Sequence, residues 1–170
     1  FHLSRRLDGT DIKANNNLEQ LLVEDSPLSD FFKKHKVTFK PHEGHINLYY
    51  KGELQPLEDE FRYGGGNIYY LRSRLGYNKS QDYCVNGFAF RSYLEKNQYF
   101  SLLSYCPELV GNIESLLDIH GMSTDYYNNS KYYCIEYLIP MTDVIFDMGY
   151  PPETVNEKTV EFLHQAILRL

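Results

Sequence analysis

Residues 131–141 read Lys-Tyr-Tyr-Cys-Ile-Glu-Tyr-Leu-Ile-Pro-Met, and their alternation decides the fold class. Tyr133, Ile135, Tyr137 and Ile139 share one face of an extended chain, and Cys134, Glu136 and Leu138 share the other. That period of two predicts a strand over 131–141, with 144–146 continuing the sheet after Pro140. The flanking segments carry the helical period instead. Val160, Leu163, Ile167 and Leu170 step by three, four and three, which predicts a closing helix packed by one face on the sheet. Pro107 starts a helix whose apolar stripe runs through Val110, Ile113, Leu116 and Leu117. Asn15 to Asn17 offer an N-cap to a short helix from Leu18 to Glu24. Ser26-Pro27 opens a second through His35. Residues 1–7, 37–40, 45–50, 53–57, 67–73 and 85–94 read as strands, and Lys51-Gly52 turns a hairpin. Strands and helices that do not strictly alternate make the chain α+β.

The 170 residues match one domain, spanning 1–170, and are enough to bury a core without metal or disulfide. A hydrophobic share of 42% and a charged share of 24% exclude collagen, coiled coil and wholesale disorder. No apolar run approaches the roughly 18 residues of a membrane span, so no membrane partner is expected. The chain opens at Phe1 inside a strand and reads as a domain of a longer protein or a delivered effector.

The net charge of −6 argues against a general phosphate-backbone surface. The surplus is local. Residues 107–170 hold ten acids against Lys131, Lys158 and Arg169, which leaves room for a basic pocket mid-chain. Cys84, Cys106 and Cys134 are an odd count with no CxxC pair, so free thiols in a reducing, intracellular compartment are expected. Sixteen tyrosines without a tryptophan suit binding clefts and stacking platforms, and codons rich in A and T would inflate tyrosine too.

Three constellations could carry chemistry. His35, His42 and His45, with Glu43, lack a recognised zinc spacing, and no metal is expected. In Tyr69-Tyr70-Leu71-Arg72-Ser73-Arg74, period two puts Tyr70, Arg72 and Arg74 on one face and Tyr69, Leu71 and Ser73 on the other. An arginine fork holds phosphate, and a tyrosine covers a flat ring. Lastly, Glu136 is a carboxylate among apolar neighbours, where desolvation demands a partner or an edge, and His2 lies on the first strand. Gly64-Gly65-Gly66 lacks the GK[ST] of a phosphate loop and reads as a turn.

Phe1-His-Leu-Ser, Ile68-Tyr-Tyr and Ile135-Glu-Tyr-Leu-Ile, in that order, resemble the His–Tyr–Glu signature of ADP-ribosyltransferases. The type meant is that of diphtheria toxin and the poly(ADP-ribose) polymerases. The resemblance covers three short pieces of the chain. It implies a split mixed or antiparallel sheet with flanking helices gripping NAD as co-substrate, and a protein or nucleic-acid acceptor. It also implies roles: His2 on the nicotinamide ribose, Tyr70 (or Tyr69) on the nicotinamide ring, Arg72 and Ser73 beside it. Glu136 would be the catalytic carboxylate, stabilising the ribosyl cation. Tyr77 and Tyr83 both depart from the spacing of the family's second tyrosine. A catalytically inactive relative, or a tyrosine-rich protein-interaction domain without NAD binding, are the alternatives.

Overall fold

The computed structural model describes residues 1–14, 16–57, 66–78, 87–146 and 148–168. The alternation at the start of the chain builds β1 (His2–Leu7), and its antiparallel partner is β5 (Ser130–Ile135), far along the sequence. The register sets His2 opposite Ile135 and Leu7 opposite Ser130. Leu3 and Leu7 are buried, so one face of this ribbon is tied to the interior. A second antiparallel sheet runs β2 (Val37–His42), β3 (His45–Tyr50), β4 (Glu53–Leu54). Lys51 and Gly52 adopt φ of 53° and 89°, the paired positive angles of a type I′ hairpin turn. The architecture is α+β with two small antiparallel sheets.

Helices fill the space between them. α1 (Leu18–Val23) and α2 (Pro27–Lys34) each start with a capping box, Asn17 with Gln20 and Ser26 with Ser29. α3 (Gly66–Arg74), α4 (Gln98–Tyr105), α5 (Glu108–Leu117), α6 (Met122–Asn128) and α7 (Val155–Ile167) follow. Phe32, Val37, Leu48, Leu71, Val110, Ile113 and Met122 are all fully buried, so α2, β2, β3, α3, α5 and α6 share one core.

Several sequence expectations are corrected here. Residues 67–73 form α3, a helix and not a strand. Leu71 and Leu75, four apart, both bury, and four is a helical spacing. A Schellman stop ends it: Tyr77 N–H donates to Arg72 O (2.9 Å) and Gly76 N–H to Ser73 O (3.2 Å). Gly76 sits at φ +86°, and a Cβ there would lie 2.9 Å from Gly44 O. Of the strand expected over 85–94, residues 85–86 lie outside the described residues, and 87–94 form no strand. β5 stops at Ile135 instead of reaching 141: the register would set Phe1 opposite Glu136, but the Phe1 amine donates to Phe88 O and the Phe1 carbonyl accepts from Phe88 N–H, each at 2.7 Å. Residues 144–146 likewise form no strand, and β4 is two residues long.

The closing helix departs furthest from expectation. Val160, Leu163 and Ile167 are 66%, 55% and 66% exposed. Its inward side is instead Lys158, Glu161, Phe162 and Gln165. Phe162 stacks on Phe90 at 4.9 Å between ring centroids, and Lys158 Nζ donates to Thr142 O at 3.0 Å. Among the described residues the element that α7 chiefly packs against is the short 3-10 turn Met141–Asp143, not a strand.

One surface network ties α2 to α6. The Asp125 carboxylate accepts from Lys34 Nζ at 2.8 Å, meets His35 Nε2 at 2.8 Å, and accepts from Asn129 Nδ2 at 3.0 Å. The Lys34 ammonium, then His35, hold its carboxyl below the usual carboxylate range. A depressed folded value means the contribution is complete above the unfolded value of about 4 and is lost as pH falls through the folded one. Because Lys34 is largely exposed, solvent screening keeps this to about 1 kcal/mol or less. Asp125→Asn should therefore lower stability at neutral pH and match wild type near pH 2, read by urea titrations at both. Equal losses at both pH values would refute the electrostatic origin.

Candidate functional site

Because β5 ends at Ile135, Glu136 and Tyr137 lie just past the paired ribbon, beside the start of β1. The His2 ring lies 6.2 Å from the Tyr137 ring, tilted by 58°. Strand alternation groups His2 with Ile135 on one face and Leu3 with Cys134 on the other. Glu136 follows Ile135, so it continues the Cys134 face, and it is exposed. A cleft of about 450 Å³ opens here, lined by Ile12, Lys13, Tyr133, Glu136 and Tyr137. Of the two alternatives the sequence left for this carboxylate, a partner or an edge, Glu136 takes the edge, exposed at the side of the cleft.

Tyr70, Arg72 and Ser73 sit elsewhere, on α3, which packs against α5 and whose following Leu75 O accepts from Ile46 N–H (2.8 Å). On a helix Tyr70 and Arg72 no longer share a face. Tyr70 is 52% exposed and Arg72 only 7%, with its Nε donating to Asn78 Oδ1 at 3.4 Å. Ser73 is half-buried, and Tyr69 meets Tyr70 edge to face at 5.7 Å. Arg74 pairs with Glu108 at 3.3 Å. The structure therefore brings His2 and Glu136 to one ribbon end on opposite faces, and assigns the other three residues to a different helix.

A second locus appears where sequence reading placed no element. Asn97 Oδ1 accepts from Tyr99 N–H at 2.9 Å and caps α4. Tyr99, Leu102 and Tyr105 then repeat every three residues along that helix, all exposed. Tyr127 of α6 stacks on Tyr105 at 5.4 Å and 28°, and the Arg5 guanidinium lies 4.1 Å from the Tyr127 ring centroid. Tyr105 Oη and Thr124 Oγ1 are hydrogen-bonded at 2.9 Å. The Asn97 cap and the Tyr99–Leu102–Tyr105 spacing were the signals that could have found this face.

No family model, curated protein or solved structure matches this chain.

Its remaining titratable clusters serve the architecture. Glu114 holds the start of α6, accepting from Gly121 N–H (2.9 Å), Ser123 N–H (3.1 Å) and the Ser123 hydroxyl. Burial pushes the neighbouring Cys106 thiol up, which keeps it protonated and a poor nucleophile at neutral pH. Burial also raises the Tyr126 phenol, whose hydroxyl donates to Arg5 O at 2.9 Å. Cys106 and Cys134 are free thiols, and Cys84 lies outside the described residues. His35 is engaged by Asp125, while His45 shares Asn47 Oδ1 with the Tyr77 hydroxyl, at 3.0 and 2.8 Å. Among the described residues no three His, Cys, Asp or Glu side chains gather as a metal would require. Among them, too, no helix is long and apolar enough to cross a membrane.

Proposed function

We infer that this chain is a protein-interaction domain that takes its partner on the tyrosine face of α4 and α6. The observation that carries the reading is the exposed Tyr99, Leu102, Tyr105 and Tyr127 set, in which Tyr105 and Tyr127 are held by their mutual stacking and Tyr127 by Arg5. Rings already held in position lose little freedom on binding, and their amphipathic edges serve both apolar and polar contacts. Aromatic faces favour arginine and proline side chains, and the net charge of −6 favours a basic partner. A photo-crosslinking amino acid at Leu102, irradiated in the cell of origin, should give one discrete adduct. That adduct should vanish with Tyr99→Ala/Tyr127→Ala. An adduct pattern equal to that from a probe at exposed Glu24 would overturn the reading.

ADP-ribose transfer from NAD is the second reading. What favours it is the cleft at the ribbon end, where Glu136 and Tyr137 line a volume within the ~300–1,000 Å³ usual for ligand sites. Tyr137, not Tyr70, would then be the ring beside His2. Glu136→Gln should leave NAD affinity intact and cut nicotinamide release ~10²-fold, the scale of losing a principal electrostatic stabiliser. Saturable NAD binding by calorimetry supports this reading, and none at millimolar concentration excludes it.

A further inference from the structure

β1 and β5 form a ribbon of two strands, so each has an outer edge that the other does not cover. The register tells which backbone groups lie there. Asp8 N–H donates to Asn129 O at 2.9 Å, so that pair and every second pair along the ribbon are the hydrogen-bonded ones. Lys131, Tyr133 and Ile135 therefore turn their N–H and C=O groups to β1, and Ser130, Tyr132 and Cys134 turn theirs outward. The two outer edges fare differently. On β1, Phe1 exchanges two hydrogen bonds of 2.7 Å with Phe88. Arg5 O accepts from the Tyr126 hydroxyl at 2.9 Å, and Leu7 O from Thr10 N–H at 3.1 Å. On β5, Ser130 O accepts from Arg5 at 2.9 Å, and there the coverage ends. Among the described residues no hydrogen bond reaches the N–H or C=O of Tyr132, Cys134 or Glu136 on this edge. We propose that it is a strand-addition site, on which an extended segment of a basic partner protein pairs antiparallel with residues 132–136.

Shape, backbone chemistry and charge select that occupant. The cleft of about 450 Å³ at the ribbon end is lined by five consecutive residues, Tyr133 to Tyr137, together with Ile12 and Lys13. A cleft on one face of a strand is lined by every second residue, so lining by both sets places this one along the edge. Five residues at ~3.3 Å each span about 16 Å, the length of a short strand. A row of backbone donors and acceptors is matched by another extended backbone, and not by a helix, whose backbone groups are paired internally. Edge strands are ordinarily guarded by lysine or proline. The edge strand β2 carries Lys40 and Pro41, whereas Tyr132-Tyr-Cys-Ile-Glu136 carries neither. Partner side chains opposite Tyr133 and Ile135 would lie on the face of those half-buried residues, where apolar groups fit. Opposite Glu136 a lysine or arginine fits, since this exposed carboxylate has no ion pair among the described residues and the chain carries a net charge of −6. The edge is separate from the tyrosine face of α4 and α6 and stands whether or not that face binds. Peptide and NAD would fill the same cleft, so one titration separates them.

The probe is the synthetic peptide acetyl-Lys-Val-Thr-Ile-Thr-amide, titrated to millimolar concentration into the whole chain and followed by amide NMR. In the antiparallel register its lysine faces Glu136, and its two threonines face Cys134 and Tyr132. In the free chain the Tyr133 amide should exchange with solvent at least tenfold more slowly, relative to its intrinsic rate, than those of Tyr132 and Cys134. Bound peptide should slow Tyr132 and Cys134 by tenfold or more. Methylating the nitrogen of the peptide's central threonine, which faces Cys134, should weaken binding at least tenfold. Methylating the isoleucine nitrogen, which faces away, should weaken it less than twofold. Glu136→Lys should weaken binding severalfold, and a peptide with glutamate in place of its lysine should restore it. Absence of shifts at residues 132–136, equal sensitivity to the two methylations, or Tyr132 and Cys134 amides as protected in the free chain as Tyr133 overturns the proposal. NAD that shifts these amides where the peptide does not overturns it too, and assigns the cleft to the nucleotide.

Discussion

Phe32→Ala should destabilise the chain by ~3–5 kcal/mol, the range for deleting a buried aromatic ring and leaving a cavity. Phe32 is 0% exposed, at the centre of the main core. Its ring meets Phe39 of β2 edge to face at 5.1 Å and Phe31 at 5.6 Å. The void would open between α2 and the three-stranded sheet, and both walls are fixed. α2 is tied at its start by the Ser26 capping box and at its end by Lys34 and His35 on Asp125. The β2–β3 hairpin is pinned by its register and by the Ile46–Leu75 hydrogen bond. Neither wall can collapse far into the space. For a domain of this size the loss corresponds to roughly 10 °C in melting temperature. Phe32→Leu should recover about half of it, by filling part of the volume. A urea titration giving less than about 1.5 kcal/mol for the alanine variant would mean that the core repacks freely, contrary to this account.

The second large effect is expected at Arg5, whose guanidinium gathers four oxygens. Nε donates to Ser130 Oγ at 2.8 Å, Nη1 to Ser104 O at 2.7 Å, and Nη2 to Tyr127 O and Ser130 O at 2.8 and 2.9 Å. A single side chain of β1 thus joins the end of α4, the end of α6 and the start of β5. Arg5→Ala leaves these carbonyls short of donors at a partly buried junction. A hydrogen bond to a charged group contributes ~1.5–3 kcal/mol, and water reaches part of the junction, so a total loss of ~2–4 kcal/mol is expected. Arg5→Lys should recover less than half, because one ammonium cannot span three separate backbone sites as the planar fork does. Arg5→Ala also removes the cation beside the Tyr127 ring, so crosslinking through Leu102 should weaken with it. Thermal melts of both variants give the check. A lysine variant as stable as wild type would show that charge alone, and not the fork, matters.

Local signals in the sequence were read well where a cap or a turn residue marked the place. Asn17, Ser26-Pro27 and Lys51-Gly52 stand where the structure starts two helices and turns a hairpin. The strands at 37–40 and 45–50 are present, the first running on to His42. Composition misled where tertiary context decides. Ile68-Tyr69-Tyr70 has strand-favouring residues, yet the fixed spacing of Leu71 and Leu75 in the core made the segment helical. Alternation over 131–141 was real, but a strand extends only as far as it has a partner, and β1 ends the pairing at His2. The closing helix was placed correctly and turned the wrong way, since periodicity fixes which residues share a face and not what that face meets. α4 was missed altogether, and the tyrosine face with it. The site residues suffered most from these errors. Once 67–73 became a helix, Tyr70, Arg72 and Ser73 lost the shared strand with which the His–Tyr–Glu resemblance had grouped them.

The pairing of β1 with β5 has a consequence for the life of the chain before it is finished. During synthesis the hairpin of β2 and β3 and the α1–α2 pair can form as soon as they emerge, since their partners are close in sequence. β1 cannot. Its partner strand begins at Ser130, and at ~5–20 residues per second the wait is on the order of ten seconds. Throughout that interval a strand with two core leucines and an unpaired edge stands open beside the ribosome, where neighbouring nascent chains could pair with it. Arg5 and Arg6, set between Leu3 and Leu7, are well suited to that interval. Adjacent like charges discourage two copies of the strand from pairing edge to edge, and Arg5 turns from guard to anchor when α4, α6 and β5 arrive.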